Sequence, residues 1–326
     1  MEIRYAELVA PRKFVIREGR LEIGDNEAMM KIAACGLCKW EIENHYEGKL
    51  GTFPQRLGHE PVGVIAEVGK NVKGWKIGDR VTGLLPGLLK PESEMSLEGF
   101  ATYATADPHW LVKVPDNIEL EYAIGEPLKC ISTIARAANH QFGDYVFLIG
   151  CGAMGLLVLA TLKGNTAAEV IAVDLLPERL KLAEEMGATI TLNSKECDVD
   201  KEIQRITKGH GIDVAIEATG NPKALQIASR VLGSRRPKLV IAGYHGSSTT
   251  CDMNAWCRRG VEIHVPHPNY SLDEMEDMRR AIHALSKGIF PMEKIITHRF
   301  KLDEIQTAFE TARSKPKEYI KGIVTP

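Results

Sequence analysis

Three glycines, Gly150, Gly152 and Gly155, stand between an apolar stretch at 144–149 and a second one at 153–163. The first stretch reads as a strand and the second as a buried helix, so the glycines fall where a strand hands over to a helix. The same texture recurs downstream. Strands are expected at 170–173, 214–217 and 238–242, with helical segments between them, and the helix at 177–186 begins on Pro177. Strand and helix in alternation predict an α/β fold, a doubly wound parallel sheet covered on both faces.

The spacing GxGxxG gives each glycine a job. Gly150 permits the tight turn. Gly152 lets the backbone approach a pyrophosphate, and Gly155 lets the helix sit against the strand. Ala153 and Met154 open the helix, whose N-terminus faces the negative phosphates. Asp174 ends the next strand, 19 residues beyond Gly155. A carboxylate there accepts hydrogen bonds from adenosine ribose hydroxyls and repels a 2′-phosphate, and neither residue 175 nor 176 is an arginine to receive one. The pattern points to NAD rather than NADP. The other reading of Asp174 is a strand-end carboxylate that caps a turn.

The first 120 residues differ in texture, with short strands and frequent glycines, among them a strand at 61–68 and the turn Gly78-Asp79-Arg80-Val81. Dense turn signals of this kind predict a compact β-barrel-like domain. Residues 86–99 read as a loop. After 290 a strand at 298–302, a helix at 303–312 and a closing strand at 321–324 are expected, the last returning to the first domain. The division is therefore 1–139 with 290–326 for one domain and 140–289 for the dinucleotide-binding domain.

A chain of 326 residues, 44% of them hydrophobic, is long enough for two cores. Its net charge of −2 argues against a nucleic-acid surface. No apolar run approaches the ~18 residues of a membrane span, and residues 1–9 lack the apolar core of a signal peptide. Seven cysteines in this length do not make a disulfide framework, and a cytoplasmic setting is expected.

Cys35-Gly-Leu-Cys38 is a lone CxxC. A structural zinc site would need a second such pair, and a redox dithiol a thioredoxin-like context; the sequence offers neither. A third reading makes one cysteine a ligand, while the other reading of a lone histidine nearby is a packed core or surface residue. Gly58-His59-Glu60 begins 20 residues after Cys38, and Glu126-Pro127-Leu128 precedes the glycine turn. Cys38, His59 and a carboxylate would form a site of three protein ligands with an open position, the pattern of catalytic zinc.

In this order, Cys35-Gly-Leu-Cys38, Gly58-His59-Glu60, Gly78 to Val81, Glu98-Gly99-Phe100-Ala101, Glu126-Pro127-Leu128, Gly150 to Gly155, Asp174, Glu217-Ala218-Thr219-Gly220 and His298-Arg299-Phe300 resemble the zinc-dependent medium-chain dehydrogenases over essentially the whole chain. The resemblance implies a GroES-like catalytic domain split around a Rossmann domain, with the active site in the cleft. It implies hydride transfer between NAD(H) and a small polyol, sugar or cyclitol, and a homodimer or homotetramer. By position, Cys38 and His59 are zinc ligands, Glu60 and Glu126 carboxylates that ligate or exchange with water, and Glu41 the residue that orients the zinc histidine. Lys39 joins the cofactor contacts. Cys35 is the non-ligand cysteine, and the other five are read as buried or inert thiols. His264 and His267 lie in a segment that could approach the cleft and are otherwise read as surface or packing residues.

Three departures matter. Leu85 to Gly99 contains no cysteine, so one catalytic zinc and no structural zinc is expected. Trp40 replaces the Ser or Thr that passes the alcohol proton outward, and either stacks on a substrate ring or packs as wall. Glu43 replaces the relay histidine, so the relay passes to Glu43 or His45, unless water reaches the site directly. A zinc-free reductase of the same superfamily, acting on an activated double bond or quinone, stays open as the alternative.

Overall fold

The computed structural model describes residues 1–85, 98–266 and 270–326. It divides into two units, 1–129 with 273–326, and 130–272. The expected loop at 86–99 lies, but for Glu98 and Gly99, outside the described residues, as does His267.

In the first unit the strands before the first long helix are β1 (Glu2–Ala10), β2 (Lys13–Arg20), β3 (Ala28–Gly36), β4 (Gln55–Arg56), β5 (Pro61–Val68), β6 (Arg80–Gly83), β7 (Tyr103–Ala106) and β8 (Leu111–Lys113). β3 is central because it is apolar on both faces; Met29, Met30, Ala34 and Cys35 are all fully buried. It pairs antiparallel with β5 and β7. The register Cys35↔Pro61 brings the CxxC turn beside the Gly58-His59-Glu60 loop. Helix α1 (Gly125–Ala138) starts against the same place: the Gly125 amide donates to Thr82 Oγ1 (3.0 Å), whose hydroxyl donates to the Pro61 carbonyl (2.8 Å).

The second unit holds the parallel sheet that the alternation predicts. Its strands are β9 (Tyr145–Ile149), β10 (Glu169–Asp174), β11 (Ile190–Asn193), β12 (Val214–Glu217), β13 (Lys238–Ile241) and β14 (Glu262–His264). Their spatial order is β11-β10-β9-β12-β13-β14, so the direction of winding reverses between β9 and β12. Between them run α2 (Ala153–Leu162), α3 (Pro177–Met186), α4 (Val199–Ile206), α5 (Pro222–Arg230) and α6 (Met253–Arg259). Phe147, Ile171, Ala215 and Leu239, fully buried on four strands, form the middle of one core face. Each large apolar side chain there contributes roughly 1.5–3 kcal/mol by leaving water.

The chain then returns to the first unit through α7 (Glu274–Ser286), β15 (Ile296–Lys301), α8 (Ile305–Ser314) and β16 (Lys321–Thr325). β16 pairs parallel with β15 and antiparallel with β3, matching Val324 to Cys35. Phe309 of α8 packs on Tyr46, Phe100 and Phe14, with ring centroids 4.7–5.5 Å away. The unit boundaries differ from the expected 139/140 and 289/290. α7 packs on β8, and Asn117 donates to the Ser286 carbonyl (3.1 Å), so this helix belongs with the first unit although the change of texture comes only after it.

Candidate active site

Cys38, His59 and Glu60 each offer a ligand atom, and these atoms lie within 4.8 Å of one another. Cys38 leads into the short helical segment Lys39–Glu41, while His59 and Glu60 form the loop that enters β5. Gly36, inside the CxxC, is there for space: a Cβ would fall 1.8 Å from Glu60 Oε2. Gly58 has φ +110°, and a Cβ there would meet the Phe100 amide nitrogen at 2.5 Å. The Gly58 carbonyl accepts from the Gly99 amide (2.9 Å), so Glu98-Gly99-Phe100-Ala101 backs the histidine loop.

Glu41, wholly buried, lies with Oε1 3.0 Å from His59 Nδ1 and accepts the Gly58 amide at 2.7 Å. His59 Nε2 is left facing the other donors. Burial opposes a charge on His59, but Glu41 and Cys38 outweigh it and push the imidazole well above its usual pKa. A place that draws positive charge, ringed by a thiol, an imidazole and carboxylates, suits a divalent cation. Glu126 stands at the start of α1 with Oε2 4.0 Å from His59 Nε2, outside the group of three.

Two lysines complete the network. Lys321 of β16 donates to Glu60 Oε1 (2.8 Å) and to the Leu37 carbonyl (2.9 Å). Lys129, one turn along α1, lies 3.8 Å from Glu126 and forms an ion pair with Glu274 of α7. The sequence reading singled out neither. Lys129 sits three residues after Glu126 on a helix and so shares its face, a signal that was readable. Lys321 is 261 residues from Glu60 and was readable only as the start of a closing strand.

Trp40 stands edge-on to His59 and to His45, with ring centroids 5.9 and 4.9 Å away. His45 is buried, with Nδ1 2.7 Å from Gln55 Oε1. Glu43 and Lys39 pair with each other at 3.5 Å, both about one-third exposed. Cys35 is buried, and burial, with Glu41 and Glu60, pushes its thiol well up. Cys151 is buried and Cys130, Cys197 and Cys251 partly so, but Cys257 on α6 is exposed, contrary to a buried reading. His264 Nδ1 lies 3.1 Å from the Tyr270 hydroxyl.

In the second unit the glycine turn follows β9 and opens α2. Gly150 has φ +103°, and a Cβ there would meet Thr219 Cγ2 at 2.5 Å. A Cβ on Gly155 would fall 1.9 Å from the Gly150 carbonyl oxygen, whereas one on Gly152 would meet no atom of the described residues within 4 Å. Two glycines therefore serve packing, and the third leaves open space over the backbone at the N-terminus of α2, beside Ala153 and Met154. Asp174 accepts from the Cys151 amide (2.7 Å) and from the amides of Leu175 (2.7 Å) and Leu176 (3.0 Å). It thus caps its own turn and ties that turn to the glycine loop. A dinucleotide fits this cradle.

Residues 24–116 match the alcohol dehydrogenase GroES-like domain model, and residues 153–286 match the zinc-binding dehydrogenase model. A sorbitol dehydrogenase of Bacillus subtilis (strain 168) is 31% identical over 94% of this chain and 92% of its own length. The chain belongs to the zinc-type medium-chain dehydrogenase family. An (R,R)-butanediol dehydrogenase of the same strain is 31% identical over 95% of each chain. The crystal structure of 2R,3R-butanediol dehydrogenase from Bacillus subtilis superimposes with a TM-score of 0.85 at 26% identity, covering 99% of both chains. This dehydrogenase is accordingly a zinc-type oxidoreductase, with a GroES-like unit and a Rossmann unit. Among its described residues no helix is long and apolar enough to cross a membrane.

Proposed function

We propose that this dehydrogenase transfers hydride between NAD(H) and a small polyol, sugar or cyclitol, or the matching ketone, using one zinc held by Cys38, His59 and Glu60. The observation that carries the reading is the approach of those three donors within 4.8 Å. Sorbitol and butanediol, named for the two relatives, both carry hydroxyls on neighbouring carbons, which supports a polyol substrate. When bound, the metal supplies positive charge that lowers the proton affinity of an alcohol oxygen, and the nicotinamide takes the hydride.

The chain's own residues do the rest. Glu41 fixes the His59 ring so that Nε2 serves as ligand. Lys321 offsets part of the Glu60 charge and holds the carboxylate beside Cys38. Glu126 is the second carboxylate, able to ligate or to exchange with water. Trp40 is a wall of the site; its indole donates but does not accept, so the departing proton leaves through His45 or Glu43. In the second unit Gly150, Gly152, Ala153, Met154 and Gly155 cradle the pyrophosphate. Asp174 faces the adenosine ribose and disfavours a 2′-phosphate. Lys39 is a further cofactor contact. The stretch 85–99 holds no cysteine, which supports one zinc and no structural zinc.

The partners we propose are the small-molecule substrate and further copies of the same chain, as a homodimer or homotetramer, with no nucleic acid and no membrane. Seven free thiols suit a reducing, cytoplasmic setting. The test is a panel of sugars, inositols, amino polyols and simple alcohols with NAD and NADP, read by absorbance of the reduced nicotinamide, beside elemental analysis. Turnover of polyols with NAD and about one zinc per chain are expected. Turnover of simple alcohols alone, or two tightly held zincs, would overturn it.

A further inference from the structure

Glu217 ends β12, His245 lies four residues beyond the end of β13, and the two form a pair with His245 Nε2 2.9 Å from Glu217 Oε2. Glu217 is fully buried, and the His245 side chain is 15% exposed. Both carboxylate oxygens are used. Oε1 accepts the amides of Thr219 (2.6 Å) and Gly220 (2.9 Å), which pins the turn that carries Thr219 against Gly150. Oε2 takes His245. The exit from β13 is pressed onto this turn: a Cβ on Gly243 would fall 2.1 Å from the Gly220 nitrogen and 2.6 Å from Glu217 Oε2.

The pairing sets the state of the imidazole. An ionised carboxylate only accepts, so Nε2 carries the hydrogen, and in the neutral ring Nδ1 is left as an acceptor. That Nδ1 is buried and has no hydrogen-bond partner among the described residues. A buried acceptor without a donor is unfavourable, and a ligand's hydroxyl would satisfy it.

Position says which ligand. The strand order reverses between β9 and β12, and a dinucleotide lies across such a reversal, outside the carboxyl ends of the strands. Asp174 on β10 marks the adenosine side. The other nucleotide then lies over β12 and β13, where Glu217 and His245 stand. We propose that His245 binds the nicotinamide riboside half of the cofactor, accepting a ribose hydroxyl at Nδ1, and that Glu217 is the positioning residue that fixes its tautomer and ring. The inference rests on reading this enzyme as one that uses a nicotinamide dinucleotide.

Two substitutions separate the roles of the ring nitrogens. His245→Gln keeps a donor for Glu217 but loses the acceptor at Nδ1. His245→Asn keeps an acceptor near Nδ1 and gives up the contact with Glu217. Titrations of the purified enzyme with NADH and, separately, with AMP, which reports the adenosine half alone, give the readout. His245→Gln should weaken NADH about tenfold and leave AMP unchanged, the loss of one hydrogen bond. His245→Asn should stay within about threefold of the parent for NADH. Parental NADH affinity in His245→Gln, or equal losses for NADH and AMP in both variants, would reduce the pair to a loop clamp and overturn the inference. If the parent enzyme binds neither NADH nor AMP, the dinucleotide reading itself fails and takes this one with it.

Discussion

In the first unit the donors proposed for the metal are side chains, two of them held by other side chains: His59 by Glu41, Glu60 by Lys321. In the second unit the glycine turn offers backbone and empty space, and one carboxylate, Asp174, is spent on three amides. The contrast decides how each site fails. A site of side chains fails when one charge or ligand goes, while the fold around it stays. A site of backbone is indifferent to most side chains and fails when a Cβ appears where none fits.

Removing a ligand should give the largest effect. Cys38→Ser should lose metal and turnover together, by on the order of a thousandfold or more if charge stabilisation of several kcal/mol goes with the metal. Cys35→Ser, at a thiol packed behind the site, should keep both. Metal analysis and rates on the same preparations check this, and metal retained in Cys38→Ser would break the side-chain half of the contrast.

Adding a Cβ tests the other half. Gly155→Ala places it 1.9 Å from the Gly150 carbonyl oxygen, so backbone must move. A destabilisation of about 3 kcal/mol is expected, in the range of overpacked cores. Gly152→Ala meets no atom of the described residues within 4 Å, so the midpoint of unfolding should stay while NADH affinity falls. Equal stability losses in the two variants would show that Gly152 also serves packing and not a ligand.

The same contrast governs what the sequence could tell. Strand, glycine turn, helix and Asp174 follow one another within some 30 residues, so local rules placed them, and the alternation implied a parallel sheet but not the order of its strands. Cys38, His59 and Glu60 were readable as a motif. Their supports were not: Lys321 and Glu60 are 261 residues apart, and Glu274 and Lys129 are 145 apart. His245 and Glu217 meet only because β12 and β13 are neighbours in the sheet. Such pairs exist through tertiary pairing, which no periodicity encodes. The unit boundary was displaced for the same reason, since α7 looks like its neighbours in sequence and is claimed by β8 in space.

A smaller effect is expected at the cofactor's adenosine end. Asp174→Ser with Leu175→Arg removes the carboxylate and supplies a partner for a 2′-phosphate. The ratio of kcat/KM for NADP over NAD should rise about thirtyfold, the worth of one charge-assisted hydrogen bond. Loss of Asp174 also frees three amides, so some loss of thermal stability should accompany the switch. A parent enzyme that already prefers NADP would refute the role given to Asp174.

The smallest effect concerns the proton. Oxidation of an alcohol releases one, and it must reach water past Trp40, which cannot accept it. Gln55 donates through Nε2 to the Leu50 carbonyl (3.1 Å), which fixes its amide and turns Oε1 toward His45 Nδ1. Nδ1 therefore carries the hydrogen, and Nε2 is a buried acceptor with no hydrogen-bond partner among the described residues, next to Trp40. Glu43 is less suited, because it is already paired with Lys39 at 3.5 Å. His45→Gln should lower turnover about fivefold near pH 7, less than a direct acid or base would cost, because the step is one removed from the substrate. The deficit should shrink as pH rises and hydroxide takes the proton instead. Glu43→Gln should change the profile less. If both variants keep the parent's pH profile, water reaches the site directly, and the side-chain site would then be self-sufficient in its ligands but not in its proton path.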